Sequence, residues 1–138
     1  MSSVTVPPPG VQGHCAVLYK DSLYVFGGRI DSIHPRQRNI TNQMHRFQFC
    51  SKKWSQVKTP QEASIAPRHN HSACIMNGKM LVFGGSNNSC YFDELLEFDF
   101  ESETWKILPK SELWPMARHG HSAIVRAKDN CVQDLEMI

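Results

Sequence analysis

Two histidine pairs, His69-x-His71 and His119-x-His121, are the residues of this chain best placed to do chemistry. Side chains alternate along a regular strand, so both imidazoles of a pair are expected on one side, as half of a metal site. An earlier copy of the pair is incomplete, with Gln12 standing before Gly13-His14, and no carboxylate lies at ligand spacing. A pattern that recurs in this way favours a structural duty, with the imidazoles hydrogen bonding near the axis of a repeated unit. No metal and no cofactor is assigned. The chain has no Gly-x-Ser-x-Gly elbow, no phosphate-cradling glycine loop and no His-Glu-x-x-His, so it is read as no enzyme. The alternative reading, from a different class, is a catalytic or metal-site protein built on the two histidine pairs.

A second group with chemical potential is the arginine-rich stretch 29–43, with Arg29, Arg36 and Arg38 against Asp31. Guanidinium forks suit carboxylates and phosphates, so this stretch is the candidate partner-binding loop for an acidic peptide. The plain reading of any one of these arginines is a solvated loop residue. Asp93, Glu94, Glu97, Asp99, Glu101 and Glu103 form an acidic counterpart. They read as solvated turns and strand ends, with Asp93 anchoring the start of a strand. The cysteines, Cys15, Cys50, Cys74, Cys90 and Cys131, are odd in number and contain no Cys-x-x-Cys. They are expected to be free thiols, with Cys15 and Cys74 as small apolar residues in strands. The sequons at Asn39 and Asn87 indicate surface loops.

The elements that position these residues come from an internal repeat. Gly13-His14-Cys15-Ala16-Val17-Leu18 matches His71-Ser72-Ala73-Cys74-Ile75 and His121-Ser122-Ala123-Ile124-Val125, and Arg68 and Arg118 stand before the last two. The agreement continues through Leu23 to Gly28 and Met80 to Gly85, each ending in Gly-Gly. It then passes through Phe47 and Phe98 to Trp54 and Trp105, each seven residues later. Each unit reads as four short strands, roughly 70–76, 79–85, 93–100 and 104–108 in the second. Asn77-Gly78 is a strong hairpin signal. Strands such as Met80-Leu81-Val82-Phe83 are apolar on both sides, which implies sheets covered by neighbouring sheets. Four-stranded antiparallel units of about fifty residues describe the blades of a β-propeller.

This ordered set of His, Gly-Gly, aromatic and Trp resembles the kelch repeat over about residues 13–125. The fold class is therefore all-β, a partial kelch-type propeller with too few blades to close. Residues 1–12 form a Pro-rich segment. Residues 13–67 are a first repeat that contains the 29–43 loop, 68–117 a second, and 118–138 the start of a third with a divergent tail. After Val125 no apolar second strand and no Gly-Gly follow. Gly27-Gly28 and Gly84-Gly85 are expected to turn sharply against a neighbouring blade, and Trp54 and Trp105 to pack between blades. Long connections, 29–43, 58–67, 86–91 and 109–117, gather at one end, where binding commonly lives.

The resemblance implies a protein-binding scaffold or adaptor, whose partners are other proteins or acidic peptides. The remaining blades are expected from a longer chain or from other copies. A truncated product without independent function is the further alternative. No BTB or F-box segment is visible. The formal charge of +2 gives no field for nucleic acid, and no apolar run is long enough for a membrane helix. Met1–Gly10 lacks the pattern of a secretory signal, so the expected location is the cytoplasm, with the nucleus as second choice.

Overall fold

A computed structural model describes residues 7–30, 39–128 and 132–137 of the chain. The strands are, in order, β1 Val11–Gln12, β2 Cys15–Tyr19, β3 Ser22–Phe26, β4 Arg29–Ile30, β5 Asn39–Ile40, β6 Met44–Gln48 and β7 Lys53–Val57. They continue as β8 Ser72–Met76, β9 Lys79–Phe83, β10 Leu95–Asp99, β11 Thr104–Ile107, β12 Ala123–Lys128 and β13 Val132–Met137. One turn of 3₁₀-helix, Glu62–Ser64, lies in the linker after β7.

Two four-stranded antiparallel sheets, β2-β3-β6-β7 and β8-β9-β10-β11, are the two complete blades. The registers repeat: Phe47 faces Trp54 across β6 and β7, and Phe98 faces Trp105 across β10 and β11. Asn77 and Gly78 both have positive φ, the geometry of the tight hairpin turn that their sequence demands. A further hairpin, β12-β13, begins a third unit. The architecture is all-β and unclosed.

The strands of the second blade are shorter than the hydrophobic pattern suggests. Asn70 adopts φ 57°, so the inner strand begins only at Ser72. Gly84 and Gly85, at φ 70° and 92°, stop β9 at Phe83. Another sequence expectation needs correction. The 29–43 connection is not wholly loop: β4 pairs with β1 on one side and β5 on the other, making a small ribbon at its base. The tail that leaves the repeat pattern forms a strand, β13, paired with β12, because backbone pairing needs no apolar run.

The core is the layer between the two blades. Tyr24, Phe26 and Met44 of the first blade meet Met80, Val82, Leu96, Phe98 and Trp105 of the second, all buried. The Phe26 and Trp105 rings lie 4.9 Å apart, Tyr24 and Phe100 4.8 Å, and Tyr19 stacks on Phe100 at 4.0 Å. Such ring pairs each add about 0.5–1.5 kcal/mol beyond the area they bury.

Candidate functional site

The histidine pairs do not act as pairs. Gly13, Asn70 and Gly120, the middle residue in each copy, all adopt left-handed backbone, at φ 70°, 57° and 64°. That twist breaks strand alternation, so His69 and His71 part company. His69 bridges to Ser86 and lines a cavity at the end of the molecule that carries the long connections, whereas His71 turns into the contact between blades. The same-side placement expected of each pair is thereby corrected. Among the described residues, no three His, Cys, Asp or Glu side chains are grouped to hold a metal ion.

His71 Nε2 lies 3.1 Å from the Phe26 carbonyl of the preceding blade and 3.0 Å from Cys15 Sγ. A carbonyl only accepts, so Nε2 carries the proton. Burial, followed by the nearby Arg68 charge, holds the His71 pKa down to about 3. Burial also pushes the Cys15 thiol up to about 12. Thiol and imidazole are therefore both neutral. They are a packing contact and not an activated nucleophile, which would need a thiolate. His121 repeats the arrangement one blade on, with Nε2 2.7 Å from Ser72 Oγ and its pKa lowered by burial.

The double glycines fit between these histidines. A Cβ on Gly27 would meet the Arg68 carbonyl and His71 Cε1, each at 2.7 Å. A Cβ on Gly84 would meet the Arg118 carbonyl at 2.5 Å and His121 Cε1 at 2.8 Å. The second glycines press on their own blade's histidine, Gly28 on His14 and Gly85 on His71. The Gly28 and Gly85 amides donate to the Arg68 and Arg118 carbonyls, both at 2.8 Å. Asn70 N–H likewise donates to Gly13 O at 2.7 Å, and Gly120 N–H to Asn70 O at 2.8 Å. Hydrogen bonds thus step from blade to blade.

Arg68 is wholly buried. It donates to Glu94 at 2.7 Å and to the Gly84 and Ala66 carbonyls, each at 3.2 Å, and covers the Phe92 ring at 4.1 Å. Arg118 makes the matching contact to Met116 O at 3.1 Å. Trp105 and Phe98 are buried between blades, but Trp54 and Phe47 are only half-buried. They lie on the outer face of the first blade, next to Phe49 at 47% and on the same side as Leu18 at 61% exposure.

Arg29 sits half-buried in the middle strand of the ribbon, opposite Gln12 and Ile40. Arg36 and Arg38, the rest of the proposed arginine site, lie outside the described residues, as does Cys131. The acidic stretch is not simply solvated. Asp93 pairs with Lys110 at 2.6 Å, Glu94 with Arg68, Glu97 with Lys79 at 3.2 Å and Glu101 with Lys20 at 2.8 Å. Glu101 also accepts the Tyr19 hydroxyl at 2.8 Å, a tie between the two blades. Sequence reasoning missed Asn70 and Tyr91, and the pairing of Glu94 with Arg68. Asn70 alone left a signal, since its aligned neighbours are both glycine.

A family model described as the KLHDC2/KLHL20/DRC7 Kelch-repeats domain matches residues 1–132. The chain belongs to the kelch-repeat family. It is 32% identical over 122 residues to the leucine-zipper-like transcriptional regulator 1 homolog of Drosophila melanogaster, covering 81% of this chain and 12% of that protein. Kelch domain-containing protein 3 of Bos taurus is 30% identical over 100 residues, covering 70% of this chain and 24% of the relative. A tRNA wybutosine-synthesizing protein 2/3/4 of Arabidopsis thaliana is 30% identical over 113 residues, covering 82% and 11%. This kelch chain thus spans a quarter or less of these relatives. Kelch repeats generally mediate protein–protein interaction, and the domain is typically non-enzymatic.

Proposed function

We propose that this chain is the partner-binding part of a scaffold or adaptor. One observation carries the reading: the described parts of the connections after β3, β7, β9 and β11 are hydrogen-bonded to one another, beside the β1-β4-β5 ribbon, at one end of two sheets locked together by a shared aromatic core. A rigid platform presenting varied loops at one end is the arrangement that recognition sites commonly use. Arg29, with Arg36 and Arg38 in the same connection, is the proposed contact for an acidic partner segment. The outer blade faces would be covered by further blades, from a longer chain or from other copies. The proposed setting is the cytoplasm, in keeping with free Cys15, Cys50, Cys74 and Cys90.

Quantitative affinity capture from cell extract tests this, with wild type set beside the Arg29→Ala/Arg36→Ala/Arg38→Ala variant. Specific partners retained by wild type and depleted in the variant are expected. Equal recovery removes the arginine contact, and no recovery above a bead control removes the adaptor reading.

A further inference from the structure

Where the second blade meets the start of the third unit, the loop end holds a cavity of about 200 Å³. No Lys, Arg, Asp or Glu is among the described residues that line it. Asn70, Asn87 and Asn88 each bring an amide, with N–H donors and a carbonyl acceptor, and Ser86 and Ser89 bring hydroxyls that do both. Tyr91 and His119 supply an aromatic platform, with ring centroids 4.9 Å apart and planes inclined at 33°. The two rings lie too close to admit another between them. Tyr91 is nevertheless 62% exposed, so it keeps a free surface for a ligand.

Backbone on both sides fixes this arrangement in advance. The main chains of His69, Ser86 and Tyr91 run side by side as a small antiparallel ladder. Asn87 N–H closes the adjoining turn on Cys90 O at 3.0 Å, and Asn87 Oδ1 accepts the Ser89 and Cys90 amides at 2.8 and 2.9 Å. Across the seam, Gly120 N–H donates to Asn70 O at 2.8 Å and Arg118 N–H to Phe92 O at 3.2 Å, which holds His119 against Tyr91. Groups set in position beforehand lose little freedom on binding.

Charge, size and wall chemistry narrow the ligand. A lining without charged groups gives no partner to a phosphate, a carboxylate or an ammonium group. The volume falls below the ~300–1,000 Å³ of drug-sized pockets, so it suits one ring. Mixed donors and acceptors beside an aromatic surface suit a ligand with hydroxyls round its edge and an apolar face. A neutral pyranose meets each demand, because its hydroxyls both donate and accept and its axial C–H bonds pack on an aromatic ring. We propose that this cavity binds one neutral pyranose, stacked on Tyr91 and hydrogen bonded by the Asn and Ser side chains. The same chemistry belongs to a free sugar and to the terminal residue of a glycan. The inference goes beyond the protein-binding reading and is independent of the arginine contact.

Saturation-transfer difference NMR on the full chain tests this. The probes are the methyl glycosides of glucose, galactose, mannose and N-acetylglucosamine, with adenine and glucose 6-phosphate for comparison and circular dichroism reporting the fold of each variant. At least one glycoside is expected to receive saturation, strongest on the C–H protons of one ring face. Its affinity is expected to survive Tyr91→Phe, which keeps the ring, and to fall about tenfold on Tyr91→Ala, equivalent to about 1.4 kcal/mol. Ser89→Trp, which fills the hollow from an exposed position, is expected to abolish it. Binding to printed glycans that end in the same sugar assigns a glycan terminus, and binding of the glycoside without any printed glycan assigns the free sugar. Saturation that reaches none of the glycosides, or that persists unchanged in folded Tyr91→Ala and Ser89→Trp, overturns the proposal. Transfer confined to adenine or to glucose 6-phosphate overturns it too, in favour of a flat base or an anion. None of these outcomes bears on partner capture by the arginines.

Discussion

An imidazole buried without a counter-charge resists protonation, and His71 is the clearest case in this chain. Unfolded, it titrates near the ordinary value of about 6.5; folded, it does so at about 3, lowered by burial and then by Arg68. Between those values the unfolded chain holds the extra proton. Stability is therefore complete above about pH 6.5 and falls as the pH drops, by up to about 1.4 kcal/mol per pH unit from this residue. His45 and His121, also lowered by burial, act in the same direction. Asp21 and Glu101, held low by hydrogen bonds to Gln48 and Lys20, lose their contribution only in the more acid carboxylate range. The window from about pH 6.5 to 5 therefore belongs to the histidines. His71→Gln keeps a donor near the Phe26 carbonyl and removes the titration. Urea midpoints across that window are expected to change less steeply in the variant than in wild type, from a lower starting stability. Parallel curves would place the acid sensitivity elsewhere.

Sheets that look equal in sequence are not equal in their packing. Trp105 lies 4.9 Å from Phe26 and 5.1 Å from Phe98 in the layer between blades. Trp54 has Phe47 of its own sheet at 5.1 Å and stays half-buried. Removing Trp105 empties the shared core, so Trp105→Ala is expected to cost about 3–5 kcal/mol. Trp54→Ala, which uncovers less area, is expected to cost about 1–2 kcal/mol. Equilibrium urea unfolding measures both, and equal losses would overturn the assignment of the core to that layer. The same pair shows what was legible in the residues alone. Gly-Gly, Phe47 and Phe98, and the two tryptophans recur because each blade makes the same demands, so strand order and hairpins could be read in advance. Position in the stack leaves no such mark, and Trp54 therefore reads like Trp105. The β1-β4-β5 ribbon is built of two-residue strands, too short to show a period. Glu94 and Glu101 look unpartnered among acidic neighbours because Arg68 reaches Glu94 only once the second unit folds, and Lys20 reaches Glu101 only once the sheets stack.

Stacked repeats are stabilised by nearest-neighbour faces, so the molecule as a whole is organised by which faces are covered. The layer between the blades is closed and aromatic. The outer face of the first blade carries the same kinds of side chain, Leu18 and Phe49 exposed and Phe47 and Trp54 half-buried, in positions whose counterparts in the second blade are covered. A contiguous apolar face of this sort favours association. The contact it invites joins unlike faces, so it propagates and does not stop at a symmetric pair. Sedimentation velocity on the isolated chain is expected to show a broad, concentration-dependent distribution. Leu18→Lys/Phe49→Lys, which charges two exposed positions and leaves the inter-blade layer untouched, is expected to collapse that distribution towards monomer with an unchanged urea midpoint. A wild-type chain that sediments as monomer at every concentration would show that the half-burial of Phe47 and Trp54 already shields the face. A midpoint lowered along with the association would mean that Leu18 and Phe49 support the blade itself.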